Sequence, residues 1–283
     1  MLDPTKCDPA LLDLVEVVVA ELLAKSTQLR AGDMMIVGAR CRDIVQSALG
    51  HDFSLRATTD IDLGLAVANW PAYDELTECL PLAGNTGIRY RVANGYADLM
   101  PFGPVEDPPG TVTPAARKEP MSVWGFAEVF ERALPLALPT SGRIRIPSVA
   151  GYTALKLAAW LDRSANGEYK DASDIATAMY WYSKSGEVEK LIYETDHGHS
   201  ILLQEDYDSV AAAARVLGED VAEIIGGTRV SELAARWPGS RKDLLYRHMS
   251  VPQMRDWPHS LSRRQALVRA MEIGMVGHHH GSR

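Results

Sequence analysis

The sequence predicts an α+β fold, with a mixed sheet and flanking helices over residues 1–146 and a helical region over residues 147–276. Two observations lead to this class. Short apolar strands alternate with helical patterns in the first part, which also contains the hairpin signal Asn94-Gly95. Beyond about residue 147, apolar residues recur mainly at helical spacing. We therefore expect two domains, followed by a flexible tail over residues 277–283.

The elements of the first part follow from local patterns. Proline near the start of a segment and a preceding aspartate indicate where a helix begins, and period-two alternation indicates a strand. In order, we predict a helix over 9–28 with Asp8 as its cap, a strand over 34–38, a helix over 40–50, an alternating strand over 56–67, a helix over 70–80, strands over 88–92 and 96–102, a proline-rich loop over 103–120, and a strand over 142–147.

The second part is read as helical throughout. Two amphipathic helices, over 148–164 and 169–184, come first. Further helices are expected over 206–217, 219–225, 229–236 and 261–273.

Composition narrows the class of protein. Of 283 residues, 46% are apolar and 23% are charged, which is typical of a globular protein. The three cysteines have neither metal-ligand nor disulfide spacing, and no segment is long and apolar enough to span a membrane. Since no targeting segment is recognised either, we expect a cytoplasmic protein. The net charge of −8 argues against broad nonspecific binding of nucleic acid, although it leaves a local basic patch open.

Three carboxylates are the candidate catalytic residues. Asp60 and Asp62 are two apart in the alternating strand, so their side chains are expected on one face. Their repulsion would be relieved by a hard cation such as Mg²⁺, although solvated acids on an edge strand would give the same pattern. Asp98 lies in a second apolar strand. If the strands pair, the three acids could hold two Mg²⁺ ions and bridge a nucleoside triphosphate.

Candidate phosphate ligands lie close to these acids. The Gly38-Ala39 step joins a strand to a helix and would offer backbone N–H groups to a phosphate. Arg56 and Thr58 precede Asp60, and an arginine can bond phosphate oxygens in pairs. A plain strand-to-helix turn and a solvated loop are the alternatives.

The helical part adds a second set of candidates. Lys156 lies in an apolar helix, where it could reach a triphosphate or extend harmlessly to solvent. Lys170, Asp171 and Asp174 open the next helix, where acids also complement the helix dipole. We predict that Lys156 and the helix over 170–175 face the carboxylates and complete the active-site cleft.

Five segments in order resemble the AbiEii-type nucleotidyltransferases, a toxin-like branch of the DNA polymerase β superfamily. They are VGARCRD (37–43), RATTDIDLGLAV (56–67), ADLMPFG (97–103), KLAAWLDR (156–163) and KDASDI (170–175).

The resemblance implies a polymerase β-like core that transfers a nucleoside monophosphate from an NTP to an acceptor hydroxyl, with RNA or tRNA as acceptor and an antitoxin as a partner. It implies Mg²⁺ at Asp60, Asp62 and Asp98, with Asp98 also the base for the acceptor hydroxyl. It further implies that Gly38 and the start of its helix hold the triphosphate, that Lys156 contacts the phosphates, and that Asp171 and Asp174 belong to a late acidic motif. With the candidates taken from the residues themselves, the predicted nucleotide site also includes Ala39, Arg42, Arg56, Thr58 and Lys170.

One position departs from the superfamily pattern. Gly38 is usually followed by serine, whereas this chain has Ala39, which lacks the hydroxyl. Arg40, Arg42 and Asp43 are the residues that could compensate. Because Ala39 lacks the hydroxyl, a module that binds NTP without turnover stays open as one alternative. A second alternative is an enzyme that modifies a small cationic acceptor such as an aminoglycoside, which the negative net charge of the protein would suit.

Overall fold

The computed structural model describes residues 2–56 and 59–281, with side chains as far as residue 277. The chain divides into two compact units, one over residues 2–148 and the other from Val149 onward. The first unit contains the sheet and the second is helical, so the protein is α+β with a helical C-terminal region. The predicted fold class is confirmed at this level.

A mixed six-stranded sheet forms the centre of the first unit. Its strands are β1 (Met34–Val37), β2 (Ile61–Ala66), β3 (Arg89–Val92), β4 (Gly95–Phe102), β7 (Leu134–Ala137) and β8 (Arg143–Ile146), in the order β3-β4-β2-β1-β8-β7. β2 runs parallel to β4, and β1 runs parallel to β8. The other neighbours are antiparallel. A separate two-stranded ladder joins β5 (Thr111–Val112) to β6 (Met121–Ser122).

Four helices accompany the sheet: α1 (Asp13–Lys25), α2 (Gly38–Ala48), α3 (Trp70–Glu78) and α4 (Phe126–Arg132). Apolar side chains on α1, such as Val15 and Leu22, are fully buried, as are Ile61, Leu63 and Leu65 of β2. The period of two in β2 thus sends one set of side chains into the core.

Most predicted elements of this unit are present, with differences at their ends. Asp8 caps a short 3₁₀ turn over Pro9–Leu11, and the α-helix begins only at Asp13. β7 and α4 were not predicted. The proline-rich loop was predicted to lack core elements, but it contributes β5, whose Val112 is buried.

The second unit consists of α5 (Val149–Arg163), α6 (Lys170–Ser183), α7 (Gly186–Glu194), α8 (Asp196–Gln204), α9 (Ser209–Arg236), α10 (Lys242–His248) and α11 (Leu261–Gly281). α5 packs on α6 and α9, and α11 packs along α9. The segments predicted as three helices between 206 and 236 form α9, which is interrupted at Gly226, where φ is 73°. The tail predicted from residue 277 is helical as far as Gly281.

Within the part of the chain that the structure describes, no helix combines the length and the apolar character needed to cross a membrane.

Candidate active site

Pairing of β2 with β4 brings two of the three predicted carboxylates together. The register of these parallel strands sets Asp62 directly opposite Asp98. Their sequence neighbours Ile61, Ala97 and Leu99 are fully buried, whereas both aspartates are partly exposed. Asp60 lies immediately before β2 and is also partly exposed. Alternation along two adjacent strands therefore places a small acidic group at one end of their shared ladder.

Gly38 lies against this acidic group. It follows β1, opens α2 and has φ of +66°, a conformation that favours glycine. A Cβ built on Gly38 would lie 1.9 Å from Asp62 Oδ2, which is closer than any real contact. Only glycine allows the backbone at the start of α2 to lie this close to the carboxylate. The positive end of the helix dipole therefore lies beside a negative charge.

Arg89 is a site residue that we did not predict. Its position on β3 is opposite Asp98 on β4. Arg89 Nε lies 2.8 Å from Asp98 Oδ1, and Nη2 lies 3.3 Å from Asp98 Oδ2 and 2.9 Å from Asp60 Oδ2. The hydrogen bond to Asp98 is the main cause of a raised Arg89 pKa, with further electrostatic contributions from Asp98, Asp60 and Asp62. The Arg89 guanidinium therefore bonds Asp60 and Asp98 and interacts electrostatically with Asp62.

The donor chemistry of the group fits a hard divalent cation, because carboxylate oxygens are the ligands that Mg²⁺ prefers. The close approach of Gly38 to Asp62 leaves no room for a side chain at residue 38 on this side of the carboxylate. Among residues 2–56 and 59–277, however, no three acidic, histidine or cysteine side chains are grouped so that they could hold a metal ion. In the arrangement described, Arg89 supplies the positive charge.

The remaining predicted phosphate ligands of this unit differ in accessibility. Ala39 is buried, so only its backbone could serve a ligand, and Arg56 is exposed. Arg42 is 2% exposed and donates to Asp43 Oδ1 at 2.8 Å and to the Arg56 carbonyl at 2.6 Å. This burial favours a structural role for Arg42, in which it holds the segment before β2. Thr58 lies outside the described residues.

In the helical unit, Lys156 takes part in a buried ion-pair network. Its Nζ lies 2.6 Å from Asp174 Oδ2 and 3.3 Å from Asp171 Oδ1. Both aspartates are almost inaccessible to solvent, with Asp171 0% exposed and Asp174 3% exposed. Burial of the ammonium acts to lower the Lys156 pKa, but the charges of Asp174 and Asp171 outweigh it, so the pKa is raised. The alternative in which Lys156 extends freely to solvent is therefore wrong.

The edge of this network is more accessible. Arg163 Nη1 lies 3.5 Å from Asp171 Oδ2, with nearly half of its side chain exposed. Lys170 pairs instead with Glu168, with 3.6 Å between Lys170 Nζ and Glu168 Oε2. Lys156, Asp171 and Asp174, which belong to the last two predicted motifs, are thus in contact with one another. Their role in binding a nucleotide stays a prediction.

Comparison of the chain with protein-family models, with characterised proteins and with solved structures finds no match.

Proposed function

We propose that this protein is a magnesium-dependent nucleotidyltransferase with a polymerase β-like core. The observation that carries the proposal is the register of β2 and β4, which sets Asp62 opposite Asp98. Asp60 lies two residues before Asp62 and is linked to Asp98 through Arg89. The five-segment resemblance supplies the reaction class, and the start of α2 beside Asp62 supplies backbone donors suited to a phosphate.

In the proposed reaction, an acceptor hydroxyl oxygen attacks the α-phosphorus of an NTP. The bond between the α- and β-phosphates breaks, pyrophosphate leaves, and the hydroxyl proton passes to the Asp98 carboxylate. Asp98 can take this role because its side chain is partly exposed and lies directly opposite Asp62, provided that Arg89 first releases the Oδ atoms to which it donates. The products are an NMP-modified acceptor and pyrophosphate.

Asp60, Asp62 and Asp98 are the residues that would hold Mg²⁺. When bound, the metal would neutralise triphosphate charge and favour ionisation of the attacking hydroxyl. Gly38 and the backbone that follows it would orient the phosphates, and the exposed Arg56 is available to bond a phosphate oxygen.

The proposed acceptor is an RNA 3′ end, with tRNA as the expected class, because the resemblance is to the toxin-like branch. An antitoxin partner is proposed on the same basis. A second candidate is a cationic small molecule, which the net charge of −8 favours. A cleft of about 280 Å³ in the same unit is also acidic, since Asp8, Asp43 and Asp52 line it.

The two candidates are separated by acceptor. Purified protein is incubated with Mg²⁺, each α-labelled NTP in turn, and either total RNA or an aminoglycoside panel. Label transferred to RNA supports the first candidate, and label on the aminoglycoside supports the second. The Asp60→Ala variant should transfer neither. Transfer that persists in that variant would refute the proposed mechanism, and binding of NTP without transfer to any acceptor would indicate the nucleotide-binding module instead.

A further inference from the structure

We propose that Arg89 is a positioning residue that competes with the divalent metal for the same carboxylates, so that metal binding requires its release. This inference rests on the proposed function, because it concerns the same acidic group. It assigns Arg89 a role that the motifs of the sequence do not indicate.

The contacts of Arg89 define the competition. Its guanidinium is within 3.3 Å of both Asp98 oxygens and of Asp60 Oδ2. Three of the six carboxylate oxygens of the group are thus bound to one cation. A metal ion that used the same oxygens would meet an existing positive charge at hydrogen-bonding distance. The two cations therefore cannot both bind these oxygens at full strength.

Charge explains why an arginine belongs here. Asp62 and Asp98 are paired neighbours and Asp60 is close by, so the group would repel itself without a positive charge. Arg89 remains protonated at any physiological pH and can bond two carboxylates at once because its donors form a planar fork. In the absence of metal, Arg89 therefore reduces the repulsion among these carboxylates.

The exposure of Arg89 allows its release. The side chains of Arg89 and Asp60 are 33% and 31% exposed, and that of Asp98 is 16% exposed, so the guanidinium reaches the acidic group from the surface of the unit. A pair this close to the surface makes only a modest contribution to stability, so it can open without disturbing the sheet, although its loss lowers the melting temperature slightly. Arg89 is thus suited to hold the carboxylates in position and to be displaced when a divalent metal ion binds them.

Arg91 provides a matched control. It is two residues along β3 and so on the same face, but it is exposed and lies opposite Tyr96. Replacing either arginine by glutamine removes one positive charge from the same strand. Only the Arg89 change removes the contacts with Asp60 and Asp98.

The test measures binding of Mn²⁺ alone, without nucleotide, from the electron paramagnetic resonance signal of the free ion. We expect Arg89→Gln to bind Mn²⁺ about tenfold more tightly than wild type, because the ion no longer displaces a charged hydrogen-bond donor. Arg91→Gln should match wild type, and Asp62→Asn should bind more weakly. Thermal unfolding should show Arg89→Gln melting lower than wild type without metal and gaining more from added Mn²⁺.

Equal or weaker Mn²⁺ binding by Arg89→Gln would overturn the inference, and if Asp62→Asn still weakened binding the proposed metal site would survive. Mn²⁺ binding that Asp62→Asn leaves unchanged would overturn both the inference and the proposed metal site. Should Arg89→Gln fail to fold, Arg89→Lys takes its place, because lysine lacks the planar fork that bonds two carboxylates. It should also bind Mn²⁺ more tightly than wild type, and an affinity equal to wild type would overturn the inference.

Discussion

A Cβ on Gly38 would lie 1.9 Å from Asp62 Oδ2, so the absence of a side chain at Gly38 fixes where this carboxylate can lie. The relationship joins the end of β1 to β2 and explains why a glycine opens α2. It also connects the turn that we propose to bind phosphate to a proposed metal ligand.

Gly38→Ala should therefore harm both stability and activity. The φ of +66° alone would cost alanine about 1–2 kcal/mol, and the overlap with Asp62 adds to this. Gly50→Ala is the matched control, because Gly50 has φ of +76° with nothing within 4 Å of its Cβ position. Urea unfolding should show a larger loss for Gly38→Ala than for Gly50→Ala. Equal losses would mean that the contact with Asp62 is unimportant.

Lys156→Met should destabilise the protein, since it leaves two buried carboxylates without their nearest cation. Breaking a buried ion pair from one side typically costs about 3–5 kcal/mol. Adding Asp174→Asn to the same chain should recover part of the loss. Lys170→Met, which removes only an exposed lysine near Glu168, should change stability by less than about 0.5 kcal/mol. Chemical unfolding measures all four proteins, and an unaffected Lys156→Met would contradict a structural role for the network.

Asp208 makes a pH-dependent contribution to the helical unit. It caps α9 by accepting from the Val210 and Ala211 backbones and pairs with Arg263 of α11, and the hydrogen bond from Arg263 is the main cause of its lowered pKa. A lowered folded pKa means that the stabilisation is present above the unfolded value of 3.8 and disappears as pH falls through the folded value.

Asp208→Asn separates the ion pair from the cap, because asparagine caps helices as well as aspartate does. We expect the variant to be less stable than wild type at neutral pH, with the difference shrinking as the pH drops below 3.8. Asp208→Ala should lose about 1 kcal/mol more than Asp208→Asn, since it also loses the cap. A stability difference between wild type and Asp208→Asn that stayed constant with pH would refute this account. Thermal unfolding across pH gives the comparison.

Local pattern was enough to predict much of the sheet and the acidic pair. The apolar run before Gly38 predicted β1, and the alternation around Asp60 and Asp62 predicted β2. Both signals arise from side-chain periodicity, which a single strand carries by itself. The sequence predicted that Asp98 would lie near these acids if the two strands paired, and the structure adds the register that sets Asp98 opposite Asp62.

The contacts of Arg89 could not be predicted, because they depend on the register of the β3–β4 hairpin, which the sequence pattern does not determine. A two-residue turn made of Asn94 and Gly95 would set Arg91 opposite Asp98. In the structure Val92 pairs with Gly95, so the loop is Ala93-Asn94, with Ala93 at φ of 53°. Moving the turn by one residue shifts the pairing by two, which places Arg89 opposite Asp98 instead. Register is decided by packing across strands, which is not a local property.

Two further features were not predicted because they also depend on contacts between separate segments of the chain. β7 is four residues long, includes Pro135 and forms an edge of the sheet beside β8, so its own sequence carries little strand signal. The pairing of Lys156 with Asp174 joins two helices, and helical spacing within either one could not reveal it.

The most direct test of the central claim is Mg²⁺-dependent transfer of label from an α-labelled NTP to acceptor, measured for wild type, Asp62→Asn and Asp13→Asn. Asp13 is an exposed aspartate of α1 in the same unit and controls for loss of one negative charge. We predict that wild type and Asp13→Asn transfer label only with Mg²⁺ present and that Asp62→Asn is at least about a hundredfold slower, because a metal ligand is lost. Transfer by Asp62→Asn at the wild-type rate would contradict the claim that these carboxylates form the active site.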